Sequence, residues 1–193
     1  MSAFTTFRNA IRSDYEAMRR LRERYPTDGP SMQRRGLFGA AVTQVGFQML
    51  IGVRLMRLVR DLRIPAGAQV VSRLIRHNYG AEIHWNAEIA PGVCFVHGNG
   101  LVISHGSRIG SNCLLFQNVT LGESMHSTRR TVGSPTLGDG VHVMPGAVLL
   151  GPIVVGSGTK IGANAVVDDD VAAGSLVRSP VSETAVRRSA EAP

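Results

Sequence analysis

Aliphatic residues stand at Leu137, Val143, Leu149, Val155, Ile161 and Val167, every six residues without interruption. Four positions after each come Val141, Ala147, Ile153, Thr159, Ala165 and Val171, all small or β-branched. The same step runs earlier through Ile103, Ile109, Leu115 and Leu121, and before that through Ile83, Ile89 and Phe95. A hexad is neither the 3.6-residue period of an amphipathic helix nor the two-residue alternation of a half-buried strand. It suits short strands joined by tight corners, where Gly110, Gly138, Gly146, Gly156 and Gly162 supply backbone shapes that strain other residues. Stacked coils of this kind set neighbouring backbones about 4.8 Å apart and bury an aliphatic ladder along the axis. The spacing predicts a β-solenoid.

The ladder is interrupted twice. From Phe95 to Ile103 the step is eight, which adds a bulge of two residues; from Leu121 to Leu137 it is sixteen, which extrudes a loop over 123–136. Long excursions from a regular scaffold are often functional.

Ahead of the hexads the period is helical. Phe7, Ile11, Tyr15, Met18 and Leu21 predict a helix from about Phe7 to Tyr25. A second is predicted from Leu37 to Leu62, with Phe47, Ile51, Leu55, Leu58 and Leu62 on one face, and a third from Gly67 to His77. The chain thus divides into a helical region (1–80), a solenoid (81–175) and a tail (176–193).

Charge follows the same division. Residues 1–80 hold 14 Arg against 5 acids, and residues 81–193 hold 7 Lys and Arg against 9. No aromatic residues are interleaved with the arginines as a base-stacking platform requires, which argues against nucleic acid. The basic helices suit solvated faces, and leave room for peripheral contact with an anionic membrane. Two isolated cysteines, Cys94 and Cys113, give neither a disulfide framework nor a zinc cluster. The apolar run from Gly36 to Val53 is broken by Thr43, Gln44 and Gln48, against a spanning helix, and no signal peptide is visible. A cytoplasmic protein is expected.

With the hexads, the segments "AEIH", "VHGNG", "QNVTLG" and "IGANAVV" resemble the serine acetyltransferase family of hexapeptide-repeat acyltransferases over residues 80–175, and the helical region resembles it more loosely. The resemblance implies a left-handed parallel β-helix of triangular cross-section behind a small helical domain. It also implies a homotrimer with acetyl-CoA in the grooves between subunits. The helical half is shorter than in the full-length cysteine-biosynthesis enzymes, which puts their dimer of trimers in question.

The resemblance makes His97 the catalytic base and Glu82 the carboxylate that orients it. Their 15-residue separation is close to one coil of three hexads, so neighbouring coils can bring them together. A neutral histidine suits proton removal from a hydroxyl that attacks a thioester. A carboxylate on its other nitrogen fixes the tautomer and stabilises the imidazolium. By the same resemblance the coenzyme positions are Gly122, Pro145, Gly146, Lys160, Gly162 and Ala163, and no metal is implied.

The departures lie on the acceptor side. Where the family presents an aspartate before the base, this chain has Val96, and its "Asp-Arg-His-Pro" segment aligns with Gly133 and Ser134. His126, Arg129 and Arg130 in the extruded loop stand as substitutes for the lost charges. A charge without its partner costs several kcal/mol when desolvated, so a site lacking these groups should not select a zwitterion. The leading expectation is therefore an acetyl-CoA-dependent O-acetyltransferase acting on a sugar hydroxyl of a polysaccharide or glycoconjugate, or on a small metabolite. The alternative is L-serine O-acetylation with a remodelled site. A third reading, of another class, is a non-catalytic trimeric scaffold at a membrane surface. The chain ends "RRSAEAP", without the terminal isoleucine that docks family members on a sulfhydrylase, which argues against a cysteine synthase complex. A zinc-dependent carbonic anhydrase on the same scaffold is disfavoured, because no two histidines stand four or five residues apart.

Overall fold

The computed structural model describes residues 2–24, 36–126 and 131–179. Four helices precede the strands: α1 (Ala3–Arg24), α2 (Leu37–Thr43), α3 (Val45–Asp61) and α4 (Gly67–Tyr79). The single helix expected from Leu37 to Leu62 is therefore two, bent by 102° at Gln44. Gln44 leaves the helical region (φ −113°, ψ 103°), and the β-branched Thr43 and Val45 on either side favour that extended geometry. The break is satisfied locally, as Thr43 Oγ1 donates to Gly39 O at 2.8 Å and Gln48 Nε2 donates to Val42 O at 2.8 Å.

On α3 the buried residues are Gly46, Phe47, Met49, Leu50, Val53, Arg54, Met56 and Leu58, whereas Leu55 and Leu62 are exposed. The expected stripe was too narrow and displaced, because α3 packs on α1, on α4 and on the strands at once. Gly80 closes α4 in the left-handed conformation at φ 61°.

The strands form three parallel sheets in which every neighbour is one coil away. The first runs through β1 (Glu82–Ile83), β4 (Val102–Ile103), β7 (Thr120–Gly122), β12 (Val148–Leu150) and β15 (Val166–Val167). The second holds β2 (Glu88–Ile89), β5 (Arg108–Ile109), β10 (Thr136–Leu137) and β13 (Val154–Val155). The third holds β3 (Cys94–Val96), β6 (Leu114–Phe116), β11 (His142–Val143), β14 (Lys160–Ile161) and β16 (Leu176–Val177). This last strand lies just beyond residue 175, where the solenoid was expected to end.

Register puts the hexad residues directly above one another. Ile83, Ile103, Leu121, Leu149 and Val167 make one ladder. Ile89, Ile109, Leu137 and Val155 make the second, and Phe95, Leu115, Val143, Ile161 and Val177 the third. All but Val177 are buried. At about 1.5–3 kcal/mol for each fully buried aliphatic side chain, these ladders dominate the stability of the solenoid. The second expected set is inward too: Val141, Ala147, Ile153, Thr159 and Ala165 are buried, and the hydroxyl of Thr159 donates to Ala172 O at 3.0 Å. The long step after Leu121 is filled by an antiparallel hairpin of β8 (Ser124–His126) and β9 (Thr131–Gly133).

The helices cap the first coil, whose strands have no coil before them. Their side chains take its free carbonyls: Ser72 Oγ donates to Ile83 O (2.6 Å), Arg60 to Trp85 O (2.5 Å), and Arg54 to Ile89 O (2.5 Å) and Ala90 O (2.8 Å). Arg54 also grips Asp14 of α1 with Nε and Nη2, at 2.7 and 2.9 Å, and Asp14 accepts Gly92 N–H at 2.8 Å. Both side chains are buried. Burial pushes the Asp14 carboxyl above its ordinary value, more than Arg54 and the backbone N–H groups of Gly92 and Val93 pull it down. The pair therefore sets the register of helix on coil rather than adding net stability.

Arg54→Met strands the Asp14 carboxylate and is expected to cost about 3–5 kcal/mol in urea unfolding. Adding Asp14→Leu should restore only part of that, since Gly92 N–H and two carbonyls still lack partners. A single-variant loss below about 1 kcal/mol would contradict this account.

Candidate active site

The two-residue slip in the hexads is His97–Gly98. Backbone bonding matches Gly100 to Asn118 of the next coil, with Asn118 N–H donating to Asn99 O at 2.9 Å, so His97 and Gly98 have no counterpart there. Both take left-handed backbone, at φ 65° and 75°, and Gly98 N–H closes a tight turn on Val96 O at 2.8 Å. Left-handed backbone costs a non-glycine residue roughly 1–2 kcal/mol, so the bulge holds His97 in a strained and defined place. Met49 of α3 supports it from below, since a Cβ on Gly98 would stand 2.5 Å from the Met49 sulfur. The imidazole is exposed on the corner between the third and first sheets.

Beside this corner α1, α2 and α3 stand off the third sheet and enclose a cavity of about 750 Å³. Its walls include Met18, Phe47, Val96, Phe116 and Met144, with His97 and His142 on its lining. α3 approaches the sheet closely here because Gly46 has no side chain; a Cβ would fall 1.9 Å from Phe95 O.

Glu82 reaches the same corner but does not touch His97. Gly100 N–H donates to Gly80 O (3.1 Å) and Glu82 N–H to Leu101 O (2.8 Å), which lays the bulged turn against β1. The Glu82 carboxylate instead meets Arg76 of α4 at 3.6 Å, with both side chains exposed. An exposed pair of this kind is only weakly held.

The coenzyme positions fall in two places. Pro145, Gly146, Gly162 and Ala163 climb the His97 corner on the later coils, and Asn164 N–H donates to Pro145 O at 2.9 Å along that column. Lys160 is exposed on β14 beside His142. Gly122 lies apart, at the far end of β7 against Leu150. Stacking accounts for the glycines, because a Cβ on Gly146 would stand 2.2 Å from Asn164 Oδ1 and one on Gly162 2.9 Å from Val177 O.

Of the expected acceptor residues, Val96 lines the cavity. Ser134 is buried on another corner, where it accepts a 2.9 Å hydrogen bond from Ser104, and is spent on structure. His126 ends β8, and Arg129 and Arg130 lie outside the described residues.

Several residues at or near this corner were not read as site residues in the sequence. Met18, Phe47 and Met49 arrive from helices whose docking no local pattern encodes. His142 is held below its ordinary pKa by burial, then by Lys160 and Arg24. The amide oxygen of Gln117, one coil above Asn99, is buried with no hydrogen-bond partner among the described residues. It belongs to the recognised "QNVTLG" segment, but only burial marks it as an unspent acceptor.

Neither cysteine is a nucleophile. Burial, then the Asp14 charge, pushes Cys94 up to about 12, and burial pushes Cys113 up to about 11. Cys113 donates to Gly138 O at 3.1 Å. Among the described residues no cluster of His, Cys, Asp or Glu could hold a metal ion. The corner therefore offers one exposed base beside a largely apolar cavity, and no activated thiol.

Residues 134–169 match the model of the bacterial transferase hexapeptide (six repeats). The serine acetyltransferase of Helicobacter pylori strain 26695 is 40% identical over 132 residues, 67% of this chain and 75% of that protein. This chain spans 47–75% of the length of such curated relatives, and 51% of the one from Synechococcus elongatus. Among solved structures, Neisseria gonorrhoeae serine acetyltransferase in complex with serine superposes with a TM-score of 0.74 at 27% identity, covering 89% of this chain and 66% of that one. A serine acetyltransferase in complex with CoA gives 0.74 at 25% identity, covering 91% and 70%. The solenoid is thus the left-handed β-helix of the hexapeptide transferases.

The thiols give a direct check. In the native protein neither Cys94 nor Cys113 should react with a thiol-labelling reagent at pH 7.5 while urea-unfolded chain is labelled completely; rapid native labelling of Cys94 would contradict its burial.

Proposed function

Because this chain belongs to the serine acetyltransferase family, we propose that it is an acetyl-CoA-dependent O-acetyltransferase with His97 as general base. The observation that carries the reading is the strained two-residue bulge that lifts one exposed imidazole to the edge of the cavity. His97 takes the acceptor's hydroxyl proton as the oxygen attacks the thioester carbonyl. The tetrahedral intermediate then collapses, the C–S bond breaks, and the imidazolium returns the proton to the departing CoA sulfur. Backbone N–H groups at the corner suit the oxyanion. In this reading Glu82, released from Arg76, holds the imidazolium's second N–H.

Small surface residues at Pro145 and Ala163 leave a bare track along the His97 corner for the pantetheine arm, and exposed Lys160 suits a phosphate. A homotrimer, with this track facing a neighbouring subunit, is the assembly we propose.

For the acceptor, the named activity of the relatives favours L-serine over the sugar hydroxyl expected from the lost charges. The second reading, a hydroxyl compound without amino and carboxylate charges, rests on Val96 and its neighbours. Among the described residues the cavity has no carboxylate on its lining to meet an ammonium group.

His97→Ala is expected to lower turnover by about 10²-fold or more with coenzyme binding retained; comparable acetyl transfer by the variant would refute the base. Turnover of acetyl-CoA with L-serine against a panel of sugars separates the acceptors. Efficient, saturable acetylation of serine supports the first reading, and acetylation confined to sugars the second.

A further inference from the structure

The helix pair that caps the solenoid has a second face. Met49, Val53 and Met56 of α3 and Ala68 and Ile75 of α4 point into the core, and Ser72 reaches Ile83. Helical periodicity turns the opposite side of the pair outward. On α4 the exposed residues Val70, Arg73, Leu74 and His77 recur at three and four positions, which is one continuous face. The α3–α4 turn continues it with exposed Leu62, Arg63 and Ile64.

Four large aliphatic side chains there are 42–54% exposed: Leu62, Ile64, Val70 and Leu74. Scattered single apolar residues need no explanation, but a cluster on one face does. The turn is also strained, with Arg63 and Ala66 both left-handed at φ 55° on either side of Ile64 and Pro65. Such backbone persists where the surroundings or the function demand it. Ile64 stands exposed in that turn, next to Arg63.

The charge identifies the occupant. Residues 36–80 contain six arginines and one acid, Asp61, and of the six only Arg54 is buried. A second copy seated symmetrically on this face would set Arg63, Arg73 and His77 against their own counterparts, which costs free energy. An anionic bilayer is complementary, since aliphatic side chains enter the acyl boundary while arginines reach the headgroups. Among the described residues no single helix is long and apolar enough to cross a membrane.

We propose that Leu62, Ile64, Val70 and Leu74, with Arg63 and Arg73, form a docking surface for an anionic lipid bilayer. The surface lies on the side of the helix pair opposite the core, and its assignment is independent of the reaction proposed at His97.

The test is co-sedimentation of the full chain with phosphatidylcholine vesicles, with and without about one third phosphatidylglycerol. Partitioning should be at least about 10-fold higher on the anionic vesicles and fall steeply toward about 0.5 M salt. Ile64→Asp with Leu74→Asp, and separately Arg63→Glu with Arg73→Glu, should each lower it by about 10-fold or more. Melting temperature and oligomeric state should stay those of the parent. Equal binding to both vesicle types, or binding retained by both variants, overturns the proposal. So does a changed oligomeric state with vesicle binding intact, which would make the face a contact between copies.

Discussion

A parallel β-helix has an open end, and in this protein that end decides how everything else is placed. The first coil, β1 to β3, has no coil before it to bond, and an unpaired strand edge both loses hydrogen bonds and invites association. The helices close it with side chains. Arg54 is the central element, since one guanidinium takes two carbonyls of the coil and the Asp14 carboxylate, which in turn holds Gly92 N–H. Four structural units meet at that point: α1, α3, the edge of β2 and the corner beyond it. A hydrophobic contact would fill the same space without fixing an angle, whereas a bidentate pair with satisfied backbone partners admits one arrangement.

The candidate site is a consequence of this docking. Once α3 is seated, Gly46 allows the helix to approach Phe95 closely, and Met49 comes to lie under Gly98. The bulge that carries His97 is therefore braced by the cap as well as by its own coil. The cavity beside it exists because α1, α2 and α3 stand against a flat sheet at angles that do not fill the corner. His97 thus comes from the solenoid, while the cavity takes its walls from both halves of the chain.

Much of the architecture was legible because a hexad leaves few alternatives. Each coil repeats the same inward positions, so the ladder could be counted from Ile83 to Val167, and both slips, at His97–Gly98 and after Leu121, proved to be real excursions. The helical half was less legible. The helix from Leu37 to Leu62 broke at Gln44, and the buried arc of α3 was wider than a single stripe, since it faces three neighbours rather than one. In the site, His97 was found through the motif around it. The Glu82 carboxylate had already found Arg76, and Ser134 had been taken into the coil by Ser104.

The sequence by itself determined the solenoid, its register and the two-residue slip that carries His97, because those depend on local periodicity and on residues a few positions apart. Only the tertiary structure decided what surrounds His97. Met49, Phe47 and His142 are 48, 50 and 45 residues from His97 in the chain and are brought to its corner by helix docking and coil stacking. No repeat encodes such contacts, since they are fixed by the close approach at Gly46 and by the buried Arg54–Asp14 pair that holds the cap in place.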